Sequence, residues 1–259
     1  MRRFWKPLGR KMVVIKSDGE IALMRQSGQV TAMVLRELHQ VIKPGVSTKD
    51  INDFVEEMIR SHQMIPTYKG YNGFPAAACV SVNEEVIHGI PSGKKKLREG
   101  DIVGVDVGCT YKGYISDAAR TYAVGSVSAE ASRLIRVAEE AFFAGLRCCR
   151  PGFRVSDISA AIQMKVEAAG FSVVRDFVGH GVGRELHEAP QIPNFGKPGR
   201  GLRIVKGMTL AVEPMINQGG FNVEVRQDNW TAVTQDGSLS AHYENTIVIT
   251  DGEPELLTG

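Results

Sequence analysis

The chain has 259 residues, a formal net charge of +2 at pH 7 and 43% hydrophobic residues. This length suits one large domain or two small ones, and so apolar a composition excludes a chain that is disordered throughout. The near-neutral charge gives no reason to expect membrane-surface binding or specific nucleic-acid binding, and no apolar run approaches the roughly 18 residues of a membrane span.

The N-terminal segment MRRFWKPLGRK carries five basic residues in eleven. Because no helical or strand pattern begins before residue 13, we interpret residues 1–12 as a flexible basic tail and residues 13–259 as a single domain. A weak electrostatic contact with RNA is the functional alternative for this tail.

Four helices are predicted from apolar residues at helical spacing and from capping residues. We expect Ser47 or Thr48 to be the N-cap of the second helix, Ser128 to begin the third and Ser156 to cap the fourth, which Gly170 ends. The predicted helices cover residues 19–42, 48–64, 128–149 and 156–169.

The two helix pairs, and the strands that follow them, repeat at a constant offset of 107 positions. Pro44-Gly45 recurs as Pro151-Gly152, and EGDIVGVD (99–106) recurs as KGMTLAVE (206–213), so that Asp106 is equivalent to Glu213. This offset predicts two related halves joined near residues 125–128. Their strands would form one sheet with the helices on one face, an α+β architecture in which the equivalent acids converge near a pseudo-twofold axis.

A β-hairpin is predicted within residues 100–125, GDIVGVDVGCTYKGYISDAARTYAVG. If its turn centres between Tyr111 and Lys112, Asp106 and Asp117 lie directly opposite each other, with Cβ atoms roughly 4.5–5.5 Å apart. A cation between the two carboxylates would turn their repulsion into a binding site. Two exposed aspartates around a loose loop are the alternative.

Further candidate ligands lie beside apolar strands and in a glycine-rich segment. Glu213 lies in TLAVEPMIN, Glu244 in SAHYENTIVIT, and His180 in VGHGVGRELHEAP (178–190), where three glycines argue against a helix. Buried carboxylates need partners, and four acids can neutralise two divalent ions. Oxygen ligands with one imidazole favour Mn²⁺, Fe²⁺ or Co²⁺, with Zn²⁺ also suited, and two such ions about 3.5–4 Å apart support hydrolysis.

Four cysteines, Cys79, Cys109, Cys148 and Cys149, form no CxxC motif. Their pattern indicates a reducing, cytoplasmic environment.

Several motifs resemble those of the methionine aminopeptidases, enzymes that remove the initiator methionine. They are DVGCTYKGYISDAART, GHGVGRELHEAP, VEPMI, YENTIVIT, VSVNEEVIHGIP and KGYNGFPAAAC, and the similarity runs from about residue 13 to 256. The resemblance implies a pita-bread α+β fold, in which two pseudo-symmetric halves form one curved antiparallel sheet with helices on its outer face. Residues 13–259 would then be a single catalytic domain. Glu213 follows His180 by 33 positions, without the long insertion of the type II branch, which favours type I.

The resemblance also implies roles for individual residues. Asp117 and Glu244 would bridge two ions of cobalt, manganese, iron(II) or zinc. The catalytic residues would be Glu213 for proton transfer, His187 near the scissile carbonyl, and His88, which contacts the peptide beyond the methionine. The metal ligands would be Asp106, Asp117, His180, Glu213 and Glu244.

A pocket for the methionine side chain is implied in the same way. Its lining would be Tyr71, Phe74, Cys79, Leu186 and Trp230, whose aromatic edges and soft atoms suit a thioether. Phe74 stands where a tyrosine is usual in the family, and Leu186 where a phenylalanine is common, so the shape of the pocket differs. Without the resemblance, Tyr71, Phe74 and Trp230 would be interpreted as ordinary core residues.

The implied substrate is a peptide or nascent chain with a free N-terminal methionine and a small second residue, reached through a transient ribosome contact. An Xaa-Pro exopeptidase of the same fold is one alternative, although such relatives usually carry an extra N-terminal domain. A non-catalytic binding module is the other, but such a protein is expected to lose metal ligands, and this chain has all five.

Overall fold

The computed structural model describes residues 12–259, so the predicted basic tail falls almost entirely outside the described residues. Within the described range there is no helix long and apolar enough to cross a membrane. The helices are α1 (Asp18–Val41), α2 (Thr48–Ser61), α3 (Ala129–Leu146) and α4 (Val155–Ala168), close to the four predicted ranges.

Capping side chains fix where two of these helices begin. Ser47 is the N-cap of α2: its hydroxyl accepts a hydrogen bond from the Asp50 backbone N–H (3.2 Å), and the Asp50 carboxylate accepts one from the Ser47 N–H (2.8 Å). Ser128 caps α3 and accepts from the N–H of Ala131 (3.1 Å). These three hydrogen bonds satisfy backbone donors that have no partner within the helix.

The predicted cap of α4 is wrong. The helix begins one residue before Ser156, and its N-cap is Arg154, whose N–H donates to the Asp157 carboxylate at 2.7 Å. The Ser156 hydroxyl instead donates to the carbonyl of Arg200 and accepts from its N–H, so it holds a neighbouring loop.

Fifteen strands lie between and after the helices in residues 12–259, with a short 3-10 helix at Tyr71–Gly73. In chain order they are β1 (Ile65–Pro66), β2 (Ala78–Val82), β3 (Glu85–Ile87), β4 (Ile102–Tyr111), β5 (Tyr114–Ala123), β6 (Ser172–Val173), β7 (Gly179–Gly181), β8 (Glu188–Ile192), β9 (Thr209–Val212), β10 (Met215–Asn217), β11 (Val223–Val225), β12 (Ala232–Thr234), β13 (Ser240–His242), β14 (Asn245–Val248) and β15 (Glu255–Leu256).

The strands pair antiparallel in four hydrogen-bonded sheets. The largest two have the orders β1-β4-β2, with β5 paired to β4, and β15-β14-β9-β7-β8. Backbone hydrogen bonds between Ala119 on β5 and Glu244 beside β14 join these two sheets, at 3.0 and 3.4 Å. Antiparallel sheets covered by helix pairs confirm the predicted α+β class.

Each helix pair packs on the strands of its own half and forms a separate core. Burial of branched apolar side chains between a helix and a sheet is the main stabilising term in such a layer. The first core includes Val34, Leu38, Ile51, Val80 and Val105, and the second includes Leu134, Phe142, Ile158, Leu210 and Val212, all buried.

The 107-residue repeat is visible in the backbone. Helices α2 and α4 are both 14 residues long and begin at positions 48 and 155. An isolated antiparallel bridge joins Ser47 to Lys96, and its equivalent joins Arg154 to Arg203. These matched contacts confirm the prediction of two related halves.

The predicted turn of the β4–β5 hairpin is wrong by one position, which shifts every cross-strand partner by two residues. Tyr111 pairs with Tyr114, so the turn is the two-residue Lys112-Gly113, where both residues have positive φ (47° and 80°). Such turns match the twist of the flanking strands. Asp106 therefore pairs with Ala119, and Asp117 is its diagonal neighbour on the same face.

Candidate metal centre

Three of the predicted acids occupy one row across four neighbouring strand segments. Asp106 pairs with Ala119, and Ala119 is hydrogen-bonded to Glu244. Glu213 lies between β9 and β10, and Glu244 lies between β13 and β14. The registers of the β9–β14 and β10–β13 pairs both place these two residues opposite each other. Asp117 is two residues from Ala119 and shares its face of the sheet. The pseudo-symmetric halves thus bring four carboxylates to one place.

The tightest group in the described part of the chain consists of Asp117, His180 and Glu244. Their ligand atoms lie within 4.8 Å of one another, and all three residues are buried. Glu213 adjoins this group, with its Oε1 3.4 Å from His180 Nε2. Asp106 is connected to Asp117 of this group by the hydroxyl of a tyrosine that the sequence analysis did not identify.

That tyrosine is Tyr68, whose hydroxyl contacts Asp117 Oδ1 and lies 2.5 Å from Asp106 Oδ1. Its ring packs over Gly108, where an added Cβ would lie 2.7 Å from the ring. Gly108 is the cross-strand partner of Asp117, so its missing side chain gives the tyrosine access to both aspartates. Tyr68 lies between β1 and the 3-10 helix, where no periodic pattern marks it as part of a site.

His180 lies on β7 with its Nδ1 2.9 Å from the carbonyl oxygen of Gly181. Because a carbonyl only accepts, Nδ1 carries the proton and Nε2 presents a lone pair to the acids. The glycines beside it permit close strand approach: an added Cβ on Gly179 would lie 2.5 Å from the Ala211 carbonyl, and one on Gly181 would collide with that of Ala189.

Burial and mutual repulsion disfavour charge on these acids. Burial raises the pKa of Asp106, and it raises the pKa values of Asp117, Glu213 and Glu244 well above their ordinary range, with neighbouring carboxylates adding to the effect. Burial also lowers the pKa of His180 to about 4, so its imidazole is neutral at physiological pH.

The residues present fit divalent cations. Glu244 Oε1 and His242 Nε2 are buried and have no hydrogen-bond partner in the structure. An unpaired polar atom in the interior costs free energy, most of all on a carboxylate. Cations bound among these oxygen and imidazole atoms would neutralise the repulsion between the carboxylates and would give the unpaired atoms a partner.

Metal removal should therefore have a pH-dependent effect on stability. The pKa values of the four buried carboxyl groups are raised, so the folded metal-free protein keeps protons that the unfolded chain releases above about pH 4. Proton binding by these groups therefore stabilises the fold at low pH, and this stabilisation is lost as the pH rises. Bound metal displaces those protons. We expect Mn²⁺ to raise the Tm of chelator-treated protein more at pH 8 than at pH 6, by calorimetry; an equal rise at both pH values would contradict this.

The predicted methionine-pocket residues lie together next to the acids. Phe74, Cys79 and Leu186 are buried in one apolar cluster, and Tyr71 and Trp230 pack against it half-buried. The rings of Phe74 and Trp230 meet edge to face at 5.1 Å. Cys79 is the cross-strand partner of Asp106, so this cluster begins one strand away from the row of acids.

The two remaining predicted histidines lie beside the apolar cluster, and His187 also lies beside His180. The His187 ring lies 4.4 Å from that of His180, and its Nδ1 lies 2.7 Å from the Tyr71 hydroxyl. Burial, with the neighbouring His180, lowers the pKa of His187 to about 2. His88 contacts Trp230 edge to face at 6.3 Å, and burial lowers its pKa to about 4.

A buried ion pair anchors the segment that carries His180 and His187. Lys16 contacts the Glu188 carboxylate, which also accepts from the backbone N–H groups of Arg184 (2.9 Å) and Glu185 (3.2 Å). The turn before His187 is thereby held by side chains as well as by strand pairing.

Comparisons with known proteins agree with this geometry. A model of metallopeptidase family M24 matches residues 22–251. The methionine aminopeptidase of Clostridium acetobutylicum is 52% identical over 247 residues, 95% of this chain and 99% of that protein. The crystal structure of methionine aminopeptidase from Thermotoga maritima matches with a TM-score of 0.94 and 50% identity over 95% of this chain and 99% of that one.

An Xaa-Pro dipeptidase from Bacillus anthracis is similar at a lower level. It matches with a TM-score of 0.74 and 25% identity, over 94% of this chain but 61% of that one.

Proposed function

The chain belongs to metallopeptidase family M24, and on this premise we propose that it hydrolyses the bond after an N-terminal methionine when the second residue is small. Family membership also confirms the predicted pita-bread fold. The observation that carries the proposal is the cluster of buried acids and His180 directly beside an apolar, partly aromatic pocket. Such a pocket suits an unbranched thioether side chain.

The proposed cofactors are two divalent ions, which Asp106, Asp117, His180, Glu213 and Glu244 would hold; by the family resemblance, Asp117 and Glu244 would contribute to both sites. When bound, the ions supply Lewis acidity toward the scissile carbonyl and lower the pKa of water toward about 7. The ligand types suit manganese, iron(II), cobalt or zinc.

The remaining chemistry belongs to side chains of this protein. We propose that the Glu213 carboxylate takes the proton of the attacking water and returns it to the leaving amine, since it is buried at the edge of the acid cluster. His187 would hydrogen-bond the substrate near the carbonyl and stabilise developing charge. His88, beside Trp230, would contact the peptide beyond the methionine.

The substrate specificity can be tested with four peptides. We expect efficient cleavage of Met-Ala-Ser, and much lower kcat/KM for Met-Lys-Ser, formyl-Met-Ala-Ser and Leu-Ala-Ser. The formyl group removes the free amine, and the branched leucine fits the pocket poorly; one methylene in an apolar pocket is worth only about 1–3 kcal/mol, so norleucine should be tolerated. Comparable cleavage of all four would indicate a general aminopeptidase, and preference for an Ala-Pro peptide would favour the Xaa-Pro alternative.

The two histidines of the glycine-rich segment should respond differently to substitution. His180→Ala should lower metal affinity, because its Nε2 faces the acids. His187→Ala should keep the metals and lower kcat, because its Nδ1 contacts the Tyr71 hydroxyl beside the proposed methionine pocket. Calorimetric titration with Mn²⁺ checks this division, and an equal loss of affinity in both variants would contradict it.

We propose a cytoplasmic location, supported by the four free cysteines. The partners would be peptides or nascent chains with a free N-terminal methionine, and a transient contact with the ribosome would bring the enzyme to nascent chains. No membrane partner and no specific nucleic acid are proposed.

A further inference from the structure

A second imidazole, that of His242, lies close to the acid cluster. His242 is buried, and its Nε2 has no hydrogen-bond partner. This atom lies 3.6 Å from Glu213 Oε2 and 4.0 Å from Glu244 Oε2. His242 is not among the five residues proposed above as metal ligands.

The backbone holds His242 firmly in this position. It pairs with Met215 across β13 and β10. Its N–H donates to the Thr121 hydroxyl, which in turn donates to the His242 carbonyl, both at 2.9 Å. These contacts fix the His242 backbone beside the acids, and the side chain is buried there.

The distances around the two imidazoles match each other. His180 Nε2 lies 3.4 Å from Glu213 Oε1 and 3.9 Å from Asp117 Oδ2, close to the 3.6 and 4.0 Å of His242. All four separations exceed the usual hydrogen-bond length of about 2.7–3.2 Å. They are typical of two atoms that bind one ion, since bonds of about 2.0–2.2 Å place neighbouring ligands about 3–4 Å apart.

We infer that His242 is a sixth protein ligand of the metal centre, binding through Nε2 beside Glu213 and Glu244. The inference rests on the proposed function, because it assumes that the acid cluster binds metal. Each oxygen of Glu213 then faces its own imidazole, His180 at Oε1 and His242 at Oε2. A second imidazole shifts the preference of the centre from Mn²⁺ toward Zn²⁺ and Co²⁺, which bind nitrogen more strongly.

The test compares two ions and three proteins. Chelator-treated wild type, His242→Gln and the control His62→Gln are titrated calorimetrically with Zn²⁺ and with Mn²⁺. Glutamine retains a hydrogen-bonding amide but is a poor ligand for zinc, whereas His62 lies exposed at the end of α2 and contacts Met58. We expect His242→Gln to weaken Zn²⁺ at least about tenfold more than Mn²⁺, and His62→Gln to change neither. Equal weakening of both ions, or of neither, would overturn the inference.

Anomalous diffraction from crystals of the Zn²⁺-loaded wild-type protein gives an answer even if His242→Gln does not fold. An ion within bonding distance of His242 Nε2, about 2.0–2.3 Å, is the expected result. Ions among the acids and His180 but away from His242 would overturn the inference and leave the proposed function intact. No ion at the acids would overturn both.

Discussion

Asp117→Ala and Glu244→Ala are each expected to bind both metal ions weakly and to release almost no methionine. Asp117 and Glu244 belong to the tightest group of ligand atoms in residues 12–259, and both are proposed to be shared between the ions. Loss of either carboxylate also removes one of the charges that balance two divalent cations. Metal content by elemental analysis and the rate of cleavage of Met-Ala-Ser measure the two effects.

Asp53→Ala is the matched control, because Asp53 is exposed on α2 and pairs with Lys49. Exposed ion pairs contribute at most about 1 kcal/mol, so this variant should keep full metal content and activity. Wild-type turnover by Asp117→Ala would remove that residue from the metal centre.

Glu213→Gln is expected to fold and to lose most of its activity. The substitution is nearly isosteric, but the amide is neither a base nor a good anionic ligand. General acid–base help is typically worth about 10²–10⁴-fold, so kcat should fall by that factor or more. Circular dichroism and single-turnover cleavage of Met-Ala-Ser measure folding and chemistry separately.

The exposed Glu57→Gln on α2 serves as its control and should be indistinguishable from wild type. A loss of less than about tenfold in Glu213→Gln, with the metal content unchanged, would assign proton transfer to another residue.

The local elements were predictable because local physics determines them. Ser47 and Ser128 are strong N-caps, and they begin α2 and α3 as expected. Ser156 is equally suited to that role, but the Asp157 carboxylate accepts from the Arg154 N–H and sets the start of α4. The Ser156 hydroxyl instead donates to the carbonyl of Arg200 in a neighbouring loop. Local propensity does not distinguish between two such partners.

The contacts between residues far apart in the chain were harder to predict from the sequence. The hairpin register depends on Lys112 adopting positive φ, which is uncommon for a residue with a side chain. Tyr68 reaches the aspartates only because Gly108 on a different strand leaves room for its ring. His242, by contrast, was within reach of sequence reasoning: it precedes Glu244 by two positions, and residues two apart on an extended chain share a face.

The buried acids are proposed to form a metal centre that removes an N-terminal methionine. The most direct test is methionine release from Met-Ala-Ser by chelator-treated protein, before and after titration with Mn²⁺, Fe²⁺ or Co²⁺. We predict no release before metal addition, and release that rises with added metal until about two ions are bound per chain. Full release by the metal-free protein, or none with any of the three ions, would contradict the claim.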